Sequence, residues 1–395
     1  MPLNTPIPPE ISYILSVLTG AGYPAYLVGG CVRDAILGRV PGDWDLCTAA
    51  LPEETMALFD RTVPTGLTHG TVTVLYGTAQ AEVTTFRRES TYSDHRRPDT
   101  VAFTDSLEED LARRDFTMNA MAMDVHGTLY DPFGGRDDLA AGLIRCVGDP
   151  YLRFQEDALR MFRGVRFAAQ LGFDIHVDTF SAMKKHAESS RFVAPERIHA
   201  ELEKTLLSPH PEYLTMMVRL GLLDGFLSPG ENIHLKGLSG LPEERALRYA
   251  RLCNQLRQAG RISSTPSFLK ALRLDSRTIQ VCDRGVAITA APFPKTVPGI
   301  KLLLARYGAE AVRCAAACGD YETDLPRVEA VLQSSDCFDL EHLAINGETL
   351  KTLGYTGREI GAALWKLLKH VIHHPEDNDT DILLDLIRKE KTAHG

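Results

Sequence analysis

The sequence predicts an α+β fold: a small mixed sheet with helices, followed by an elongated all-α remainder. Two observations carry that expectation. In the first third, short apolar runs of strand character alternate with helical periodicity and are punctuated by glycine. From about residue 150 onward, apolar residues recur at helical spacing almost throughout, with breaks near Ser208-Pro209, Ser228-Pro229-Gly230, Ser239-Gly240, Ala291-Pro292 and Pro375-Glu376. The sequence shows neither an internal repeat nor a long low-complexity tract.

Pro8-Pro9 opens a first helix in which Ile11, Ile14, Leu15 and Leu18 share a face, and Gly20 and Gly22 end it. Ala25-Tyr26-Leu27-Val28 is a short strand stopped by Gly29-Gly30, and a brief helix from Val32 to Leu37 closes at Gly38. Thr71 to Tyr76 and Ala81 to Phe86 form a hairpin joined by Gly77-Thr78-Ala79-Gln80. The segment from Arg87 to Pro98 is polar, follows neither period, and is expected to be mobile. Arg153 to Phe167 reads as one helix, with Leu159, Phe162 and Val165 toward a core.

A chain of 395 residues has room for about two to four domains. Its 44% hydrophobic and 24% charged residues are those of an ordinary soluble globular protein. No stretch approaches the roughly 18 consecutive apolar residues of a membrane span, and the N-terminus lacks the basic-then-apolar order of a signal peptide. A cytoplasmic location and no membrane partner are expected. The eight cysteines follow no repeated spacing and read as reduced, mostly buried thiols. A net charge of −9 argues against a protein that coats nucleic acid indiscriminately. Arginine is nevertheless concentrated between residues 87 and 166, where a phosphate-rich ligand could sit.

The most informative segment is Leu27-Val28-Gly29-Gly30-Cys31-Val32-Arg33-Asp34, followed by Gly42-Asp43-Trp44-Asp45-Leu46. Gly29 and Gly30, between a strand and a helix, let the backbone approach a phosphate closely, and the helix start offers free N–H groups to it. Arg33 can add a charge-assisted contact to a triphosphate. Asp43 and Asp45, two apart on a predicted strand, share one face, and like charges side by side call for a cation. Oxygen ligands of this kind suit Mg²⁺, and two such ions would support in-line nucleotidyl transfer. Glu82, opening the second hairpin strand, is the candidate third carboxylate.

These residues together resemble the signature of class II nucleotidyltransferases within the polymerase-β superfamily, and of the bacterial CCA-adding enzymes in particular. Trp44 stands where a small aliphatic is usual, with its side chain expected to point away from the metals. The resemblance implies a polymerase-β-like nucleotidyltransferase head over residues 1–148, a helical neck over 149–208 that selects the nucleotide, a helical body over 209–325 and a tRNA-binding tail over 326–395. It implies CTP, ATP and the tRNA 3′ end as partners. It covers most of the chain and is sharpest from about residue 27 to 200.

Asp157, Arg160 and Arg163 recur every third residue and, taken alone, read first as a salt-bridge ladder on a solvated helix face. Hydrogen-bond inventory offers another use. An ionised Asp only accepts and an Arg only donates. One of each, side by side, would take the amine and ring acceptor of cytosine or adenine and reject uracil and guanine, whose pattern is reversed. The segment resembles the family's Glu-Asp-x-x-Arg motif, so Asp157 and Arg160 carry over as base-selecting residues. Arg163 and Arg166 match positions the family uses around the nucleotide, with Gly164 where alanine is commoner.

Arg113-Arg114-Asp115-Phe116-Thr117-Met118-Asn119-Ala120 resembles a further family motif, which makes Arg114 a nucleotide contact and gives Asp115 and Asn119 a bracing role. Asp131-Pro132-Phe133-Gly134-Gly135 is expected to be a structural turn, and His69-Gly70-Thr71 a supporting element. In the family, a loop where Arg87 to Pro98 lies lets the site switch from C to A. Its full length here implies complete CCA addition rather than CC only. Pro195-Glu196-Arg197-Ile198 and Ala344-Ile345-Asn346-Gly347 match neck and tail motifs, with Lys351, Arg358, Lys366 and Lys369 as weak tRNA candidates. CC-adding, A-adding or poly(A) polymerase activity on the same fold are the alternatives. A small-molecule nucleotidyltransferase would not need Asp157, Arg160 or the helical tail. The sequence leaves the oligomeric state open, a homodimer included.

Overall fold

The computed structural model describes residues 6–89 and 101–393. The chain divides into two compact units, Met1–Gly225 and Phe226–Gly395.

The first unit begins with α1 (Pro9–Gly20), β1 (Ala25–Val28), α2 (Gly30–Ile36), β2 (Trp44–Thr48) and α3 (Pro52–Leu58). There follow β3 (Thr62–Gly66), β4 (Thr71–Tyr76), β5 (Ala79–Thr85), β6 (Arg87–Glu89) and β7 (Val101–Phe103). Among the described residues, a seven-stranded sheet has the order β3-β4-β5-β2-β1, completed by β8 (Ala122–Met123) and β9 (Leu129–Tyr130). Every pairing in it is antiparallel except β2 with β5, which run parallel with Asp45 opposite Glu82. Ile11, Ile14, Leu15 and Leu18 of α1 are wholly buried, as expected from their spacing. On the sheet, Val28, Cys47 and Phe86 cluster with Leu111 and Val147.

The hairpin differs from expectation in its turn. Tyr76 pairs with Ala79, so Gly77 and Thr78 alone make it, with Gly77 at φ 57°. Two-residue hairpin turns favour glycine at such a position. Glu82 therefore stands in mid-strand rather than at the strand's start. Arg87–Glu89 is also not irregular: it is β6, paired antiparallel with β7. The remainder of the Arg87–Pro98 segment, from residue 90, lies outside the described residues.

The unit continues with α4 (Leu107–Ala112), α5 (Gly135–Ala141), β10 (Leu143–Ile144), α6 (Pro150–Glu156), α7 (Leu159–Leu171), β11 (Asp174–Ile175), α8 (Val177–His186), α9 (Pro195–Leu206) and α10 (Leu214–Arg219). The region after residue 150 is thus not purely helical, because β11 pairs in parallel with β10. Asp131 accepts from the amides of Gly135 and Arg136 at 2.7 and 2.9 Å, which fixes the turn expected there. A Cβ on Gly135 would lie 2.2 Å from the Thr117 carbonyl oxygen, so that turn admits no side chain.

The second unit, among its described residues, is helical from α11 (Arg245–Gln258) through α12 (Thr265–Ala271), α13 (Ser276–Ile288), α14 (Val297–Tyr307), α15 (Ala309–Cys318) and α16 (Tyr321–Gln333) to α17 (Gly347–Thr352), α18 (Arg358–His373) and α19 (Thr380–Ala393). Ser264, Asp275, Thr296 and Asn346 cap α12, α13, α14 and α17 with their side chains. Leu367, Leu368 and Val371 of α18 pack with Leu350, Leu383 and Ile387.

Candidate active site

Trp44 to Thr48 forms a strand because Leu46 and Cys47 bury their side chains beside β1. Asp43 precedes that strand by one residue instead of lying on it. The parallel register sets Glu82 directly opposite Asp45, and cross-strand partners point to the same face. All three carboxylates line one cleft of about 750 Å³, walled by Pro8, Glu10 and Ile11 at the start of α1. Trp44, expected to point away from the metals, is among the residues lining the same cleft. Burial pushes the Asp45 carboxyl above its ordinary range, and the charges of Glu82 and Asp43 add to this against the opposing Arg114. Within the described residues, none of the three carboxylates has an ion pair or a side-chain hydrogen bond.

Gly29 ends β1 at φ 77°, a conformation natural to glycine. Its amide donates to the Met121 carbonyl at 3.3 Å. Arg114 Nη1 lies 3.2 Å from where a Gly29 Cβ would stand, so the turn and the arginine are packed together. Asp110, wholly buried, holds Arg114 at 3.1 Å and Arg113 at 2.9 Å. Among the described residues, the buried Nε of Arg114 has no hydrogen-bond partner. Arg33 pairs with Asp34 at 2.9 Å and donates to Asn119 Oδ1 at 2.8 Å.

The expected single helix over Arg153–Phe167 is broken. Asp157 closes α6 with extended backbone, φ −146° and ψ 107°, and its carboxylate accepts from the Leu159 amide at 3.0 Å. A short Asp side chain satisfies a free amide at the next helix start better than it continues a helix. Asp157 and Arg160 therefore do not share one helix face. Asp157 is held by Arg197 of α9 at 2.8 Å. Arg160 pairs with Glu156 at 2.5 Å and donates to the carbonyls of Arg153 and Arg113. Nor is this a solvated ladder: Arg163 pairs with Asp115 at 2.6 Å and Arg166 with Glu201 at 2.5 Å, the latter pair only 10% and 8% exposed. Asp115 is held below the ordinary carboxylate range: burial, which would raise it, is outweighed by the charges of Arg163 and Arg160 and hydrogen bonds from Arg163 and Asn119.

Similarities to known proteins bear on this arrangement. Residues 25–145 match the model of the Poly A polymerase head domain, and residues 172–231 that of the probable RNA and SrmB-binding site of polymerase A. The chain is 41% identical over 369 residues to the CCA-adding enzyme of Geobacillus thermodenitrificans, covering 89% of this chain and 90% of that protein. This chain belongs to the CCA-adding enzyme family. A member from Streptococcus pyogenes is 35% identical over 97% of this chain and 98% of its own length. The fold also matches the crystal structure of the Bacillus stearothermophilus CCA-adding enzyme in complex with CTP, with TM-score 0.80, 32% identity and coverage of 98% of this chain and 99% of that one. The polymerase-β-like head and helical remainder expected from the sequence are those of the family.

Asp110, Glu156, Arg197 and Glu201 were not singled out from sequence. Asp110 and Glu156 each stand four residues before the arginine they hold, a spacing visible in the sequence, although the Glu156–Arg160 pair spans the break at Asp157 and Arg114 lies beyond the end of α4. Arg197 and Glu201 lie 40 and 35 residues beyond their partners Asp157 and Arg166, and only the packing of α9 on α7 and the turn before it reveals these pairings.

Proposed function

We propose that this chain adds C, C and then A to the 3′ end of tRNA, taking CTP and ATP and releasing pyrophosphate. The observation that carries it is that Asp43, Asp45 and Glu82 line one cleft, with Arg114, packed on the Gly29 turn, close enough for its charge to act on Asp45. The donor set is all hard oxygen, which fits Mg²⁺. Among the described residues no three His, Cys, Asp or Glu side chains are placed so that they alone could hold a metal ion, so an ion here would be completed by substrate phosphates and water, as is ordinary for magnesium. When bound, two such ions would supply charge neutralisation at the attacking and leaving oxygens. Asp43 and Asp45 are the metal ligands in this reading, and Glu82 the third acidic group.

The Gly30 amide and the start of α2 receive the triphosphate, with Arg114 and Arg33 alongside. A carboxylate offers about four acceptor sites. Asp157 commits three of them, one to the Leu159 amide and two to Arg197, which leaves one for the exocyclic amine of C or A. Arg160 faces the ring acceptor, and Arg163 and Arg166 hold the helix that carries it. We further read the head as ending near residue 148, the neck as running to 208 and the tail as beginning at 326. Eight unpaired thiols support a cytoplasmic setting, and no described helix is long and apolar enough to cross a membrane.

Extension of tRNA lacking its terminus, with CTP and ATP singly and together, tests the activity. Two C additions followed by one A are expected. Termination after two residues would make it a CC-adding enzyme, and a run of A would make it a poly(A) polymerase.

A further inference from the structure

Asn119 lies between the two parts of the site just described. Its Oδ1 accepts from Arg33 Nη1 at 2.8 Å, and its Nδ2 donates to Asp115 Oδ1 at 3.3 Å. Asp115 Oδ2 in turn accepts from Arg163 Nε at 2.6 Å. A continuous polar chain thus runs from α2, beside the glycine turn, to α7. A side-chain amide presents an acceptor and a donor from one planar group, whereas a carboxylate would serve Arg33 and repel Asp115, and a cation would do the reverse.

The surroundings leave this amide little freedom. Asn119 is 6% exposed. Its short helical turn is pinned by Thr117, whose hydroxyl donates to Asp138 at 2.6 Å, and by the close approach of Gly135 to the Thr117 carbonyl. Asp115 Oδ1 also accepts from the Phe116 amide at 2.9 Å, so the carboxylate is oriented from its own backbone. Hydrogen bonds in such a low-dielectric enclosure polarise one another. A second bridge exists: the Arg33 and Arg163 guanidinium carbons lie 5.2 and 5.4 Å from the Phe167 ring centroid.

We propose that Asn119 is a positioning residue that couples Arg33, at the triphosphate end, to Arg163, at the base-selecting end. This rests on the activity proposed above and adds that seating of the phosphates and choice of base are linked through one amide. Movement of Arg33 toward an anion changes what Asn119 can offer Asp115, and so changes the setting of Arg163.

The test is a double-mutant cycle on kcat/KM for CTP, using R33K and R163K, run in the wild-type and N119A backgrounds. In wild type the two substitutions are expected to be non-additive by about fivefold or more, and in N119A they are expected to add. N119A should also lower CTP-over-UTP selectivity, which loss of fold alone would not do. N119D is nearly isosteric and keeps the acceptor for Arg33 while opposing Asp115. It should lose selectivity as N119A does, and it keeps the test decisive where N119A is poorly folded. Additivity in wild type, coupling that persists in N119A through Phe167, or N119D with wild-type selectivity would each overturn the proposal. A wild-type protein that extends no tRNA would overturn the assigned activity, and this coupling with it.

Discussion

The carboxylate cleft of the head and the arginine-bearing α7 are both rich in charge, yet they treat it oppositely. Asp43, Asp45 and Glu82 are left without protein partners among the described residues, and their mutual repulsion helps push Asp45 upward. On α7 and at the turn before it, Arg160, Arg163, Arg166 and Asp157 each have a partner of opposite charge. Unpaired like charge is a cost the fold bears unless a cation arrives. Paired charge, held in place before substrate arrives, is preorganisation. In the function proposed above, the difference separates groups that would do chemistry with a metal from groups that would hold a shape against a base.

If that division is right, substitutions in the two regions should split activity from stability. D43A or D45A should cut nucleotide incorporation by about 10²- to 10³-fold or more, with a melting temperature equal to or above that of wild type, because a repulsion is relieved. Radiolabelled primer extension and calorimetry check both halves, and a clear loss of stability in D43A would break the comparison. E201A should behave in the opposite way. It leaves Arg166 buried without its carboxylate and should cost about 3–5 kcal/mol of stability, read from denaturant unfolding. E201Q, which keeps an acceptor for Arg166, should recover much of that.

R197A sharpens the comparison at Asp157. Freed of its partner, the carboxylate can rotate, and selectivity for CTP over UTP should fall by about tenfold, since discrimination depends on buried polar groups held in place. Competition assays with mixed nucleotides would show it, and unchanged selectivity would mean that the Leu159 amide alone orients Asp157.

Acidification should separate the regions as well. Asp45 has a raised pKa in the fold, so its ionised form opposes folding: that penalty grows as pH rises through its folded pKa and disappears below the unfolded value. Asp110 and Asp115 are lowered in the fold, so the stability they contribute is present above the unfolded value and lost as pH falls toward their folded pKa values. Metal-dependent incorporation should therefore fail first on acidification, as Asp45 takes up a proton, while the fold persists. Activity and near-ultraviolet dichroism measured over the same pH series would separate the two midpoints, and coincident midpoints would contradict the scheme.

Much of this was legible in sequence because it is local. The glycine turn, the four helix-facing residues of α1 and the turn at Asp131 follow from spacing within a few residues. Glu82 was found for a partly wrong reason: a hairpin argument placed it near the strand start, while the parallel pairing of β2 with β5 is what sets it against Asp45. The break at Asp157 had a signal, an Asp two residues before a helical run, but the continuous arginine period masked it. Arg197 lies in a motif that resembles the family's, but its pairing with Asp157 had no signal, and Glu201 had none at all, since long-range partners leave no mark on local periodicity.

The smallest effect expected tests the same rule on α17 and α18. Lys351 and Arg358 are both exposed cations offered as tRNA contacts, but Lys351 is already paired with Glu348 at 2.5 Å, whereas Arg358 has no acidic partner among the described residues. A cation that must first leave a carboxylate releases fewer counterions on meeting a phosphate. R358A should therefore reduce the slope of log affinity against log salt by about one, as expected for a phosphate contact, with little change in selectivity. K351A should reduce it by less. Filter binding of tRNA across a salt series measures both slopes. Equal slopes for the two variants would show that the Lys351–Glu348 pair is too exposed to hold its charge back, and that pairing governs function only where water is excluded, as it is around α7.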